Sequence, residues 1–330
     1  MKKTRPLLAS LALVPAASLI LAGCGSTGNA DAGSNGDAGS GKLTVVASTN
    51  VYGDIARTIG GGHVEVTEII NSAAQDPHSY EASAKDKLAI SKASLLLANG
   101  GGFDSFMDTM YDSLPADGAK DIKLLHAVDF SPVPGEQEAA EHEHEQEEEG
   151  HEHEGHEHAE YNEHVWYDLD SMEQLAPELA SQLGELDPEA ADDFDANAKN
   201  FVAELGKLRE QLKSTGLEGK GFVMTEPLPL HLLEDAGLHD ETPEGLSEAI
   251  EEGEEITPLS LKQAQDILES GDVALLAYNT QTEGAETKKI RDSAEQGGVP
   301  VEDFTETITD GSSYLEWMKH NIDSIASAAK

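Results

Sequence analysis

The stretch KLTVVASTNVYGDIARTIGGGHVEVTEII, residues 42–70, decides the fold. It opens at 42–48 with a run rich in valine and threonine, which is typical of a β-strand. Residues 51–59 follow as a predicted helix, and three glycines end it. Residues 64–70 alternate between apolar and polar side chains, which indicates a second strand. A strand, a helix and a strand in close succession predict parallel pairing in an α/β sheet.

The same alternation continues through the rest of the chain. Further strands are predicted at 95–98, 122–125, 221–225 and 273–278, with a last one beginning at 299. Helices are predicted between them at 83–92, 103–110, 171–183, 228–236, 261–269, 287–296 and 313–329. The two halves share this order of elements but no repeated sequence, so each half is expected to build its own sheet.

One long helix is predicted between the halves, at residues 188–213. Its apolar residues recur every three or four positions and line one face: Phe194, Ala198, Phe201, Leu205, Leu208 and Leu212. At 1.5 Å per residue this helix would be ~40 Å long, which is about a domain diameter. An ordinary surface helix is the alternative. The predicted fold class is therefore α/β, with two Rossmann-like lobes whose parallel sheets are joined by one long rigid α-helix.

The composition limits the possible partners. The chain has 330 residues and a formal net charge of −43. Nucleic acid is excluded as a partner, since the phosphates would be repelled. An acidic surface suits a protein that handles cations, although acidity also serves solubility.

The N-terminus is predicted to be a lipoprotein signal peptide, residues 1–23. A basic start at 2–5 precedes an apolar run at 7–21 that is short for a membrane span. The only cysteine, Cys24, ends a Leu-Ala-Gly-Cys sequence that resembles the bacterial lipobox, in which the cysteine is lipidated. An incidental cysteine beside an ordinary cleavage site is the alternative. Residues 24–41 are predicted to be a flexible tether, so the protein would be extracytoplasmic and lipid-anchored to the outer face of the cell membrane.

Residues 136–161 form a low-complexity run in which histidine alternates with glutamate. The run offers almost no apolar surface, so it cannot form a core of its own. Neutral imidazole is a good ligand for Zn, Cu and Ni, and His-rich tracts are typical of metal binding. The run is therefore predicted to be an accessory metal collector, with a spacer as the alternative. Its histidines are His142, His144, His151, His153, His156 and His158.

Four residues outside or beside this run are candidates for a tight metal site. His78 lies in the loop after the second strand, and His164 follows the His/Glu run. Glu226 and Glu306 each follow a predicted strand of the second half. Ligands of open α/β sheets bind outside the carboxyl ends of the strands, so these four would meet between two lobes. A solitary glutamate after a strand is, alternatively, a helix cap or a solvated residue.

Three motifs carry a resemblance to a known family. Residues 76–81, DPHSYE, resemble the D-P-H-x-Y-E motif of the metal-binding proteins of bacterial zinc and manganese ABC importers. Residues 164–168, HVWYD, are similar to that family's H-V-W-x-D, and residues 98–100 to its A-N-G. The resemblance covers residues 42–330.

The resemblance implies a set of ligands by position. His78 and His164 would be the ligands of the first lobe, Glu226 the third, and Glu306 the fourth, where the family often has aspartate. Two carboxylates favour Mn(II), whereas the Irving–Williams order favours Zn(II). The His/Glu run is associated in the family with zinc members, so zinc is predicted, with manganese as the alternative. His231 is a rival third ligand and is predicted to lie on a helix surface. The remaining histidines are predicted to be solvated: His63, His126, His239 and His320.

The predicted organisation is an N-terminal lobe at 42–186, a linking helix region at 187–215 and a C-terminal lobe at 216–330. The predicted function is that of a monomeric solute-binding protein that captures Zn(II) in an interlobe cleft and delivers it to an ABC permease. The chain is predicted not to be an enzyme, because it lacks H-E-x-x-H and four protein ligands would leave no open position. The alternatives are a manganese-specific protein, a metal-storage or cell-adhesion lipoprotein, and a secreted zinc hydrolase.

Overall fold

The computed structural model describes residues 41–119, 121–132 and 162–328. The predicted signal peptide, tether and Cys24, and the His/Glu run with its six histidines, lie outside these residues. Within the described part of the chain, no helix combines the length and apolar character that a membrane span requires.

The described residues form two four-stranded sheets in which all strands are parallel. The first sheet has the order β2-β1-β3-β4, and its strands are β1 Leu43–Thr49, β2 Val64–Ile70, β3 Leu95–Ala98 and β4 Lys123–His126. The second has the order β6-β5-β7-β8, and its strands are β5 Gly221–Met224, β6 His239–Asp240, β7 Leu275–Asn279 and β8 Val301–Phe304. The equal strand orders confirm the prediction of two parallel α/β lobes.

Helices cover and connect these sheets. In the first half they are α1 Asn50–Gly60, α2 Ala84–Ile90, α3 Phe106–Asp112, α4 Ala116–Ala119 and α5 Leu169–Leu186. The long helix is α6 Ala191–Lys213. In the second half they are α7 Leu230–Asp235, α8 Leu246–Glu251, α9 Pro258–Ser270, α10 Ala285–Gly297 and α11 Tyr314–Ser327. Short 3₁₀ turns lie at Gly61–His63, Ala127–Phe130 and Val165–Tyr167.

The long helix α6 buries the face that the apolar spacing predicts, from Phe194 to Leu212. It packs on α1 and α5 of the first half and on α11 of the second, so one apolar core extends into both halves. The helix begins three residues later than predicted. The Asp187 side chain accepts a hydrogen bond from the Glu189 amide at 3.3 Å, and the Asp187 carbonyl accepts one from the Ala190 amide at 3.1 Å, which folds this stretch into a turn before the helix starts.

The loop after β8 is hydrogen-bonded to the first half on both sides of Glu306. The Asn50 side chain donates to the Ile308 carbonyl at 2.7 Å and accepts from the Ile308 amide at 3.0 Å. The Tyr167 hydroxyl donates to the Thr305 carbonyl at 2.9 Å. Each such bond contributes about 1 kcal/mol of net stability. The backbone at Glu306 is therefore fixed relative to the first half.

Two histidines that were predicted to face solvent are largely buried instead. Burial lowers the pKa of His126, but its hydrogen bond to Asp108, at 2.8 Å, and the nearby charges of Asp104 and Asp129 raise that pKa to about 9 overall. His231 is 9% exposed, and its Nε2 lies 3.1 Å from the Asn162 carbonyl oxygen. The surface prediction was wrong because both side chains turn inward, one from the end of β4 and one from the short helix α7.

Candidate metal centre

Three side chains from different parts of the chain bring their donor atoms within 4.8 Å of one another: His78, His164 and Glu251. Glu251 Oε1 lies 3.6 Å from His78 Nε2 and 3.3 Å from His164 Nε2. The His164 side chain is 1% exposed and that of Glu251 is 10% exposed. The structure thus brings the two candidate histidines together with a carboxylate from α8 that was not among the candidates.

The loop between β2 and α2 holds His78. The Asp76 carboxylate accepts hydrogen bonds from the His78 amide at 3.0 Å and from the Ser79 hydroxyl at 2.5 Å, which shapes a tight polar turn. The His78 ring meets the Phe103 ring edge to face, with centroids 5.0 Å apart. The turn and the aromatic contact together direct the imidazole towards His164.

Asn162 orients His164. Its side-chain oxygen accepts from the His164 amide at 3.1 Å and lies 2.6 Å from His164 Nδ1. A carbonyl oxygen only accepts hydrogen bonds, so Nδ1 carries the proton. Nε2, which lies 3.3 Å from Glu251, therefore keeps the lone pair that can bind a metal ion. The Asn162 amide also donates to the Pro227 carbonyl at 2.9 Å. Asn162 therefore links His164 to the segment that carries Glu226.

The A-N-G motif after β3 holds the backbone that precedes His164. The Asn99 side chain donates to the carbonyl of Glu163, the residue before His164, at 2.8 Å. The Asp104 carboxylate accepts from the amides of Asn99 at 2.6 Å and Gly100 at 2.9 Å. The motif thus fixes the backbone at the point where the chain delivers His164.

Glu226 and Glu306 lie together at the carboxyl end of the second sheet, and both are buried, at 2% and 3% exposure. The Asn279 amide donates to Glu226 at 2.5 Å and to Glu306 at 3.3 Å. The Thr282 hydroxyl also donates to Glu226. Among the described residues, the group of possible metal ligands whose atoms lie within 4.8 Å of one another contains the two histidines and Glu251 but neither of these glutamates. The four candidates therefore form two pairs, with Glu251 against the histidine pair.

These carboxylates are close enough for the charge of one to raise the pKa of another. Burial, followed by the charges of Glu163, Glu226 and Glu306, raises the pKa of Glu251 to about 9. Burial, followed by the charges of Glu226 and Asp76, raises the pKa of Glu306 to about 8. Burial also raises the pKa of Glu226. A divalent cation would offset this repulsion, and its binding at neutral pH would release protons.

The sequence prediction did not include Glu251, because its candidate carboxylate ligands are residues that follow predicted strands. The strand before it, β6, has only two residues and was not predicted. In the structure Leu246, Ser247 and Ile250 turn inward, and Glu251 follows Ser247 by four positions on the same helix face. The neighbouring Glu248 faces solvent.

Two parallel α/β sheets with imidazole and carboxylate side chains gathered within 4.8 Å of one another define a metal-binding class of protein. The family described as zinc-uptake complex component A, periplasmic, matches residues 45–328, and the chain belongs to this family. The resemblance that the motifs predict is thereby confirmed.

Relatives and solved structures agree with this assignment. The manganese ABC transporter substrate-binding lipoprotein scaA of Streptococcus gordonii is 26% identical over 302 residues, covering 87% of this chain and 89% of the relative. The manganese-binding lipoprotein MntA of Halalkalibacterium halodurans is 26% identical over 323 residues, covering 94% of each. A crystal structure of ZnuA superposes with a TM-score of 0.67 at 23% identity, covering 88% of this chain and 100% of the other. At that identity the structural likeness establishes the fold.

Proposed function

We propose that this protein captures Zn(II) between its two sheets and delivers it to the membrane permease of an ABC importer. One observation carries the proposal: a ring nitrogen of His78 and one of His164 belong to one largely buried group of possible metal ligands, whose atoms lie within 4.8 Å of one another. Glu226 and Glu306, at the carboxyl end of the second sheet, support the proposal through their charges, which raise the pKa of Glu251. Imidazole and carboxylate together are a usual donor set for zinc.

Manganese is the second candidate cation. The abundance of buried carboxylate oxygen favours Mn(II), a harder ion than Zn(II). The names of the relatives from Streptococcus gordonii and Halalkalibacterium halodurans point the same way. Zinc is nevertheless our first choice, because it stands well above manganese in the Irving–Williams order at a site of this kind.

A competition titration at buffered free-ion concentrations tests the choice. We expect zinc to occupy the site at a free concentration at least about 10-fold below that needed for manganese, following the Irving–Williams order. Displacement of bound zinc by an equal free concentration of manganese would reverse the assignment. The same titration on a chain lacking residues 136–161 is the control. An importer protein keeps one tight site after this deletion, whereas a storage or adhesion lipoprotein that relied on the run would lose tight binding.

The proposal includes the location of the protein and the way in which it is attached to the membrane. We propose that Cys24 carries a lipid that anchors a monomer to the outer face of the cell membrane, with residues 24–41 as the tether. The Leu-Ala-Gly-Cys sequence and the lipoprotein names of the relatives support this. Fractionation of cells carrying Cys24→Ala measures it: retention of that variant in the membrane fraction would argue against the anchor.

Asn162 offers a test of how the site is oriented. We expect Asn162→Ala to weaken zinc binding about 10-fold or more, since the acceptor that fixes the His164 ring is lost. Asn197→Ala is the matched control: its amide donates to the Ile59 carbonyl at 3.0 Å, near the far end of α1. Equal zinc affinities of the two variants in a chelator competition would mean that Asn162 does not orient the site.

A further inference from the structure

Helix α8 and the residues that follow it have an unusual arrangement of charge. Glu251 is the last residue of this helix, and its side chain is only 10% exposed. The next four residues, 252–255, are all exposed and include three further glutamates. One carboxylate out of this acidic stretch is therefore turned into the protein while its neighbours remain in water. Burying a carboxylate is costly unless a partner compensates its charge.

The position of the Glu251 carboxylate matches that of a metal ligand. A first-row divalent cation binds nitrogen and oxygen donors at about 2.0–2.2 Å, which places adjacent donors roughly 3.0–3.5 Å apart around the ion. Glu251 Oε1 lies 3.3 Å from His164 Nε2 and 3.6 Å from His78 Nε2. Both separations are close to the edges of a coordination polyhedron, and all three donor atoms lie within 4.8 Å of one another, so a small approach of the side chains lets them share one cation.

The three carboxylates of the second half, Glu226, Glu306 and Glu251, differ in the hydrogen bonds that they accept. Asn279 and Thr282 donate hydrogen bonds to Glu226, and Asn279 also donates to Glu306. The described residues supply no hydrogen-bond donor to Glu251 Oε1. Glu251 Oε1 is therefore buried from water, has no hydrogen-bond donor among the described residues, and lies next to two imidazole nitrogens. These are the surroundings in which a carboxylate oxygen binds a cation.

We infer that Glu251 is a ligand of the bound cation, supplied by α8 rather than by a strand end. The inference rests on the proposed function and adds a third residue to the histidine pair. It makes α8 the element that closes the site over the cation, so that withdrawal of one side chain opens a coordination position. Loss of this ligand should therefore raise the rate of cation release as well as lower the affinity.

The test uses zinc alone as the probe, the full-length protein, and two variants with opposite properties. Glu251→Gln keeps the size of the side chain but loses the charged oxygen, whereas Glu251→Asp keeps the carboxylate and is shorter. We expect Glu251→Gln to weaken zinc binding about 10- to 100-fold, comparable to or above the loss of an outer-shell partner, and to speed release to a chelator by a similar factor. Glu251→Asp should retain more affinity than Glu251→Gln. Glu252→Gln, on the exposed neighbour, is the matched control and should bind as the unaltered protein does.

Two results would overturn the assignment of Glu251. One is zinc affinity in Glu251→Gln within about twofold of the unaltered protein, a change of less than about 0.4 kcal/mol. The other is a greater loss in Glu251→Asp than in Glu251→Gln, because that order indicates a side chain that only fills space. Two other variants, His78→Ala and His164→Ala, test the proposed function separately. If these lose zinc while Glu251→Gln keeps it, only the present inference fails; if they also keep it, the site itself lies elsewhere.

Discussion

Replacement of His164 by alanine is expected to weaken zinc binding by more than about 100-fold, beyond the 10- to 100-fold typical of an outer-shell change. The reason is that His164 Nε2 is a donor atom of the candidate centre, and its side chain is 1% exposed. Asn162 orients the His164 ring, and Asn99 holds the backbone just before it through the Glu163 carbonyl. A chelator competition with zinc on the full-length protein measures the loss.

The control for His164→Ala is an imidazole that also lies beside a carboxylate. His239 Nε2 is 2.9 Å from Glu241, but the pair is exposed at the edge of the second sheet. His239→Ala should therefore bind zinc as tightly as the unaltered protein. Unchanged binding by His164→Ala, together with lost binding on removal of residues 136–161, would move the tight site to the His/Glu run.

Replacement of Trp166 by alanine is expected to lower the free energy of unfolding by about 3–5 kcal/mol, the range for large aromatic residues in cores. Trp166 is 1% exposed and packs against Phe103 and His164, with ring centroids at 4.5 Å and 5.0 Å. The cavity left by alanine would lie directly under the delivered histidine. Urea unfolding of the metal-free protein measures the change.

A phenylalanine at the same position separates packing from hydrogen bonding. Within the described structure the Trp166 indole nitrogen has no hydrogen-bond partner, so Trp166→Phe loses volume but no hydrogen bond. We expect it to cost less than about 2 kcal/mol, because removal of an unsatisfied buried group offsets part of the lost contact. If the phenylalanine and alanine variants were equally destabilised, packing would not be what Trp166 contributes.

The alternating pattern predicted the architecture well because it reports burial directly. Strands β1, β3, β5 and β7 are nearly continuous apolar runs, as expected for strands covered on both faces. The face of α6 follows from its spacing in the same way. Boundaries were less accurate: a polar turn at Asp187 delays α6, and β6 and α8 are too short to produce a periodic signal.

The candidate site also contains some residues that the sequence predicts and one that it does not. His78, Glu226 and Glu306 could be selected because each follows a strand, and parallel strands end at one edge of a sheet. His164 could be selected only through the motif around it, since the His/Glu run beside it offers six other histidines. Glu251 could not be selected, because composition does not distinguish it from Glu248, Glu252, Glu254 and Glu255.

The sequence by itself determined the two parallel sheets, the long helix and the family, because apolar periodicity and the DPHSYE and HVWYD motifs are local properties of the chain. Only the tertiary structure decided which carboxylate faces the two histidines. That choice depends on how Leu246 anchors α8 and turns Glu251 inward, and on Asn162 joining His164 to the segment of Glu226. Contacts between residues far apart in the chain determine both, and no local pattern encodes them.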